Sequence, residues 1–274
     1  MTKEEILEKC LSIEFPQTVL TDNSLKNNIR YLFSYKCSSK NSNTCMQLIQ
    51  HFHPSMWKAN KNGFLSPYNA WYDIDCLAKA IDNRLKYKGN DLSPRDIRAG
   101  LTLSFAGPKV SIFKPALAKY IINKYLDKYA EVFDPCSGYS GRLLGVASLK
   151  KKYIGQDINS TTVKESNNLI TYFNLNNCQV TCKNSIASKG SYECLFTCPP
   201  YEDKENWNQD IEQLSCDEWI DICLKNYKCD RYVFVVDKTD KYAEYVAEVI
   251  DNNSHINKNS EYIVVIDNSK IIDD

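Results

Sequence analysis

From residue 112 onward, short apolar runs of strand length alternate with amphipathic stretches of helical period, and few folds accept such a pattern. The strand runs fall at 131–134, 153–157, 179–182, 194–197, 232–236 and 262–266. Helical patterns begin at Pro115 and run on through Tyr125, and recur around Leu143, Leu144 and Val146, over 161–175, over 216–226 and over 242–250. Strands separated by helices predict a parallel sheet with helical layers, an α/β architecture.

Before residue 112 the chain reads as helical, with no clear strand pattern. Thr2 and Glu5 carry the capping-box signature of a first helix. Ser24 can cap a second, with Leu25, Ile29, Leu32 and Phe33 on one face. Ser66-Pro67 and Ser93-Pro94 each read as an N-cap followed by proline at the first helical position. The first of these leads a helix carrying Trp71, Ala78, Ile81 and Leu85, the second one carrying Ile97 and Leu101. Residues 36–45, rich in Ser, Asn, Lys and Cys, predict an exposed loop. The expected division is a helical region over 1–108 and an α/β domain over 109–274.

Composition narrows the class. Charged residues at 25% and hydrophobic residues at 43% suit a globular chain, and no apolar run reaches the length of a membrane span. The opening Met1-Thr2-Lys3-Glu4-Glu5 is not a signal peptide, so a cytoplasmic protein without membrane contact is expected. The 12 cysteines include no Cys-x-x-Cys pair, which favours free, buried thiols over disulfides or zinc. His51-Phe52-His53 has no partner cluster and reads as a loop or helix-end pair; no metal site is expected. Net charge is zero but uneven. Residues 1–154 hold 23 Lys/Arg against 13 Asp/Glu, and the remainder 11 against 21. Either the first half meets a polyanion, or its helices present solvated lysines.

Three strand ends carry the chemistry. Leu195-Phe196-Thr197 runs into Cys198-Pro199-Pro200-Tyr201, where proline stops the strand for want of an N–H. The stiffened turn holds an aromatic side chain at the carboxyl edge of the sheet, where ligands bind in open α/β folds. It suits a flat base with an amino group, or it is a loop start with a packed tyrosine. At the first strand's end, Asp134-Pro135-Cys136-Ser137-Gly138-Tyr139-Ser140-Gly141 supplies glycines for a sharp turn close to a ligand. It lacks the G-x-G-x-x-G spacing of dinucleotide sites, and its acid suits a ligand bearing a positive amino group. The next strand ends in Gly155-Gln156-Asp157-Ile158-Asn159, where an acid can accept both hydroxyls of a ribose.

Together these elements resemble the S-adenosylmethionine-dependent amino-methyltransferases of DNA, the adenine-N6 and cytosine-N4 type, in a form seen in phage and mobile-element enzymes. Phe113-Lys114-Pro115 is similar to the family's F-x-P element. Asp134 to Gly145 is similar to its D-P-x-x-G-x-x-G-R-L-L-G loop. Asp157 corresponds to the ribose-binding acid, and Cys198-Pro199-Pro200-Tyr201 to the catalytic [D/N/S]-P-P-[Y/F/W] tetrad. The resemblance covers about 112–266, just over half the chain. It implies a Rossmann-like methyltransferase fold with a mostly parallel seven-stranded sheet, preceded by the helical region, and S-adenosylmethionine as cofactor. It further implies that Phe113, Pro115, Asp134, Pro135, Gly138, Gly141, Asp157 and Ile158 bind the cofactor. Cys198, Pro199, Pro200 and Tyr201 would hold the base.

The implied reaction is methyl transfer to the exocyclic amino group of an adenine or cytosine flipped out of double-stranded DNA, at a few kcal/mol of unstacking. Tyr201 would stack on the base and the Pro199 carbonyl would accept from its amino group. Cys198 departs from the tetrad, whose first residue usually offers an oxygen acceptor, since sulfur accepts weakly. Its shape is close to the serine associated with cytosine targets. Ser140 stands where many relatives carry glycine. Recognition would fall to the basic helical region, with the 202–214 loop helping, and a companion restriction or phage protein is a further expected partner. The alternatives are an RNA or protein-glutamine amino-methyltransferase, since the same tetrad occurs there, and a DNA-binding relative that has lost catalysis.

Overall fold

The computed structural model describes residues 2–34, 40–61, 63–200, 214–251 and 260–270. Ten α-helices are described: α1 (Lys3–Leu11), α2 (Asp22–Ser34), α3 (Met46–Phe52), α4 (Pro67–Trp71), α5 (Ile74–Lys88), α6 (Pro94–Leu103), α7 (Pro115–Tyr125), α8 (Gly141–Ala147), α9 (Ser160–Tyr172) and α10 (Cys216–Asn226). The main sheet has seven strands: β1 (Glu131–Asp134), β2 (Lys152–Asp157), β3 (Cys178–Cys182), β4 (Cys194–Thr197), β5 (Arg231–Val236), β6 (Val246–Asp251) and β7 (Ser260–Asp267).

The strand order is β3-β2-β1-β4-β5-β7-β6. All pairs from β3 to β5 are parallel, and β7 alone runs against its neighbours β5 and β6. This is the mostly parallel, seven-stranded, Rossmann-like α/β sheet expected from the sequence. Strands β4 and β5 are buried almost along their whole length, as strands covered on both faces must be. Phe133, Leu195, Tyr227, Tyr232, Phe234 and Val264 centre one core, with Phe133 stacked on Tyr192 at 3.8 Å.

The chain divides into two compact units. Of the described residues, one takes those up to Val19 and Pro54–Ser111; the other takes Leu20–His53 and those from Ile112 on. The expected boundary at 108/109 therefore falls near one junction, while α2 and α3 belong with the sheet. The physical reason is their packing. Leu25, Leu32, Leu48 and Ile49 are buried, Lys119 Nζ on α7 donates to the Leu32 carbonyl at 2.7 Å, and Phe52 packs edge-on against Tyr172 of α9.

The capping box at Thr2 and the caps at Ser66 and Ser93 form as the sequence predicts, and Asp96 completes a capping box at Ser93. Three expectations are corrected. The helix expected after Ser66 is two, because Asp73 accepts from the Cys76 amide and starts α5 afresh. The second helix starts at Asp22, with Thr21 rather than Ser24 accepting from the backbone, and Phe33 is exposed. Residues 242–250 form not a helix but a 3-10 turn, Ala243–Tyr245, followed by β6. Val246 and Ile250 are spaced like a helical stripe, yet the β-branched residues pair along β7 through a bulge between Val246 and Glu248. Glu248 is then clamped by Lys40, Lys124 and the hydroxyls of Tyr120 and Tyr125.

Among the described residues every cysteine is a free thiol and most are buried. No group of three or more His, Cys, Asp or Glu among them could hold a metal ion, and no helix among the described residues is long and apolar enough to cross a membrane.

Candidate functional site

Strands β2, β1 and β4 lie side by side, so their carboxyl ends bring Asp157, the 134–141 turn and Cys198-Pro199 to one edge. Between β1 and β4 the order of the sheet reverses, the position where open α/β sheets bind ligands.

The turn is shaped by its glycines. Gly138 has φ +56°, and its amide donates to Asp157 Oδ2 at 2.8 Å. The Ser137 amide donates to the Gln156 carbonyl at 2.8 Å, so the turn is tied to β2 at two successive residues. A Cβ on Gly141 would overlap the Phe113 carbonyl oxygen. The F-x-P segment thus lies directly on the turn's second glycine, and Pro115, buried, opens α7 from there. The Phe113 ring meets Phe196 of β4 edge-on at 5.8 Å.

Asp157 is half-buried. Its Oδ1 accepts from the Asn159 amide at 2.9 Å and its Oδ2 from Gly138, and each oxygen keeps a further lone pair. Burial lifts its pKa above the ordinary carboxylate value, against the pull of those two donors. Next to it Ile158 is 45% exposed, an apolar side chain at the strand end.

Asp134 differs from expectation. Rather than facing a ligand's amino group, it is fully buried, and five donors surround its carboxylate. Arg142 Nε donates to Oδ2 at 2.7 Å and Nη2 to Oδ1 at 3.3 Å; the Tyr153 hydroxyl reaches Oδ2 at 2.8 Å, Thr197 Oγ1 reaches Oδ1 at 2.8 Å, and the Cys136 amide reaches Oδ1 at 3.2 Å. Two oxygens offer about four lone-pair sites, so the carboxylate's capacity is spent on holding the turn. Arg142 Nη2 also donates to the Cys136 carbonyl, and its guanidinium lies 5.2 Å from the centre of the Phe113 ring. Burial works against the arginine's charge, but Asp134 more than compensates and raises its pKa. The Pro135 carbonyl accepts from Ser185 Oγ.

Strand β4 ends at Thr197, as the prolines require, and Cys198 and Pro200 are half-buried while Pro199 is buried. Tyr201 lies outside the described residues, as does nearly all of the segment 202–214 from which help in recognition is expected.

Sequence reasoning missed the partners of Asp134. A lone arginine inside the apolar run Arg142-Leu143-Leu144-Gly145-Val146, every residue of it buried, was the available signal. It also missed His53. The residue does sit at a helix end, just after α3, but it is fully buried, and its Nε2 lies 2.8 Å from Ser140 Oγ in the turn.

No family model and no curated protein matches the sequence. Among solved structures, the 23S rRNA methyltransferase ErmE is similar at 10% identity and TM-score 0.42, over 55% of this chain and 66% of that one, just under two thirds of its length. An rRNA methylase from Streptococcus thermophilus is similar at 13% identity and TM-score 0.40, over 58% of this chain and 99% of that one. SMU.1697c from Streptococcus mutans, solved in complex with SAH, is similar at 15% identity and TM-score 0.40, over 57% and 99%.

Proposed function

We propose that the chain is a methyltransferase that uses S-adenosylmethionine and acts on the exocyclic amino group of a base, in double-stranded DNA. One observation carries the cofactor assignment: the Gly138 amide donates to Asp157, so that a sharp turn and a strand-end carboxylate with lone pairs to spare form one unit. The donor set fits the group. Asp157 can accept from the two ribose hydroxyls, exposed Ile158 offers an apolar face beside it for a base, and Gly138 removes side-chain bulk where the ligand must approach.

When bound, S-adenosylmethionine supplies an electrophilic methyl group on a sulfonium. The chain's own residues position and orient. Pro199 and Pro200 stiffen the backbone past β4 and present carbonyl oxygen without a competing amide donor. A carbonyl accepting from the target amine favours the amine's lone pair over its conjugation with the ring. Tyr201, by its resemblance to the tetrad, stacks on the base. Catalysis of this kind rests on proximity and on fixed dipoles rather than on a covalent intermediate. The carboxylate of Asp134 serves the scaffold, tying the end of β1 to Arg142 of α8, Tyr153 of β2 and Thr197 at the end of β4.

The excess of Lys and Arg over Asp and Glu in residues 1–154 supports a polyanionic substrate. RNA is the second substrate to test, because the tetrad alone does not distinguish the two. Calorimetric titration with S-adenosylhomocysteine tests the cofactor site. Binding by the wild type, weakened at least about tenfold by Asp157→Ala, or about 1.4 kcal/mol, supports the reading. Absence of binding by a folded wild type overturns it.

A further inference from the structure

We propose that His53 is a positioning residue for the glycine turn, holding Ser140 in the left-handed conformation that sets Gly138 and Gly141 in place. Ser140 has φ +63°, a region in which a residue other than glycine is strained, and it stands directly between Tyr139 and Gly141. Strain of this kind persists only where the surroundings fix it. Here they do. Ser140 Oγ donates to Ser166 Oγ on α9 at 2.9 Å and lies 2.8 Å from His53 Nε2, so the hydroxyl's single proton is committed to Ser166 and His53 is the donor to Ser140.

The histidine can act as a fixed post because the helix that leads to it is anchored away from the turn. It follows α3, whose Leu48 and Ile49 are fully buried and whose Phe52 packs on Tyr172 and Phe173 at the end of α9. Its ring meets Tyr139 edge-on at 5.5 Å, so two consecutive residues of the turn rest on it. Nδ1 lies 3.3 Å from Glu165 Oε2. With φ at +63°, Ser140 directs Gly141 under the Phe113 carbonyl and returns the chain into α8. A buried histidine from α3 thereby sets the shape of a turn 87 residues away in sequence. The proposal rests on the reading that this turn borders the cofactor only for its second readout.

The test is a set of variants, His53→Ala, His53→Gln, Ser140→Ala, Ser140→Gly and the doubles with His53→Ala. The first readout is hydrogen–deuterium exchange of the amides over 136–141 in the chain without ligand. His53→Ala and Ser140→Ala should each speed exchange there by about tenfold or more, with the amides of β4 and β5 unchanged, and the double should be no faster than either single. In the Ser140→Gly background, where the conformation needs no post, His53→Ala should add little. His53→Gln, which keeps a donor, stands in where the alanine variant fails to fold. The second readout is S-adenosylhomocysteine affinity, expected to fall in the same order. Unchanged exchange over 136–141 in a folded His53 variant overturns the proposal, as do additive effects of His53→Ala and Ser140→Ala. A wild type that binds no S-adenosylhomocysteine would defeat the cofactor reading while the exchange data still decide the role of His53.

Discussion

The carbonyl oxygen of Phe113 occupies the space that a side chain on Gly141 would need. A Cβ on Gly138, by contrast, would meet only the Cys136 carbonyl oxygen, at ordinary contact distance, and what the fold itself asks of this glycine is its φ of +56°. The two glycines should therefore respond differently to alanine. Gly138→Ala should cost about 1–2 kcal/mol, the strain of a left-handed residue. Gly141→Ala must displace backbone and should cost about 3 kcal/mol or somewhat more. Thermal unfolding checks the order: for a chain of this length the second should lower Tm by roughly 6–12 °C and the first by less.

Asp134 and Arg142 form a buried pair whose loss leaves an uncompensated charge. Asp134→Ala should destabilise by about 3–5 kcal/mol in urea unfolding, because Arg142, Tyr153 and Thr197 all lose their acceptor. Replacing both partners by apolar residues of similar volume should recover much of that. A double variant as unstable as Asp134→Ala alone would show that the pair is not the source of the cost.

The raised pKa of Asp157 gives opposite pH trends for stability and for binding. Folding holds a proton on this carboxyl that the unfolded chain has already lost, between the ordinary carboxylate pKa and its raised folded value. Over that window stability falls as pH rises. Ligand affinity runs the other way, since only the ionised carboxylate accepts from both ribose hydroxyls. S-adenosylhomocysteine should bind more tightly as pH rises through the raised value, and Asp157→Asn should remove both slopes. Calorimetry from about pH 4 to about pH 8 reads them together.

Glu248 has the reverse sign. Burial opposes its charge, but Lys124, Lys40 and Tyr120 outweigh that and bring its pKa down to about 2 from an ordinary 4.5. Its contribution is fully present above about pH 4.5 and is lost as pH falls through about 2. Glu248→Gln should flatten this part of the acid unfolding curve and speed amide exchange along the edge strand β6.

Much of this arrangement was legible in the sequence because it depends on local rules. Proline at 199 ends β4 for want of a donor, and serine or threonine before α1, α4 and α6 caps them through their own side chains. What the sequence concealed depends on long-range partners. The 242–250 segment satisfies both periods at once, and only pairing with β7 decides for a strand. Asp134 read as a ligand-facing acid because a strand-end carboxylate looks the same until Arg142, Tyr153 and Thr197 are seen to enclose it. His53 stands 87 residues from Ser140, and no spacing rule connects them.

The most direct measurement is transfer of a labelled methyl group from S-adenosylmethionine to double-stranded DNA, with RNA and protein as parallel acceptors and mass spectrometry of the hydrolysed bases. The expected result is label on the exocyclic nitrogen of adenine or cytosine in DNA, lost in Tyr201→Ala and in Asp157→Ala. Label confined to RNA or to protein would move the substrate and keep the chemistry; no label in any acceptor, from a folded chain that binds DNA, would contradict the proposed function.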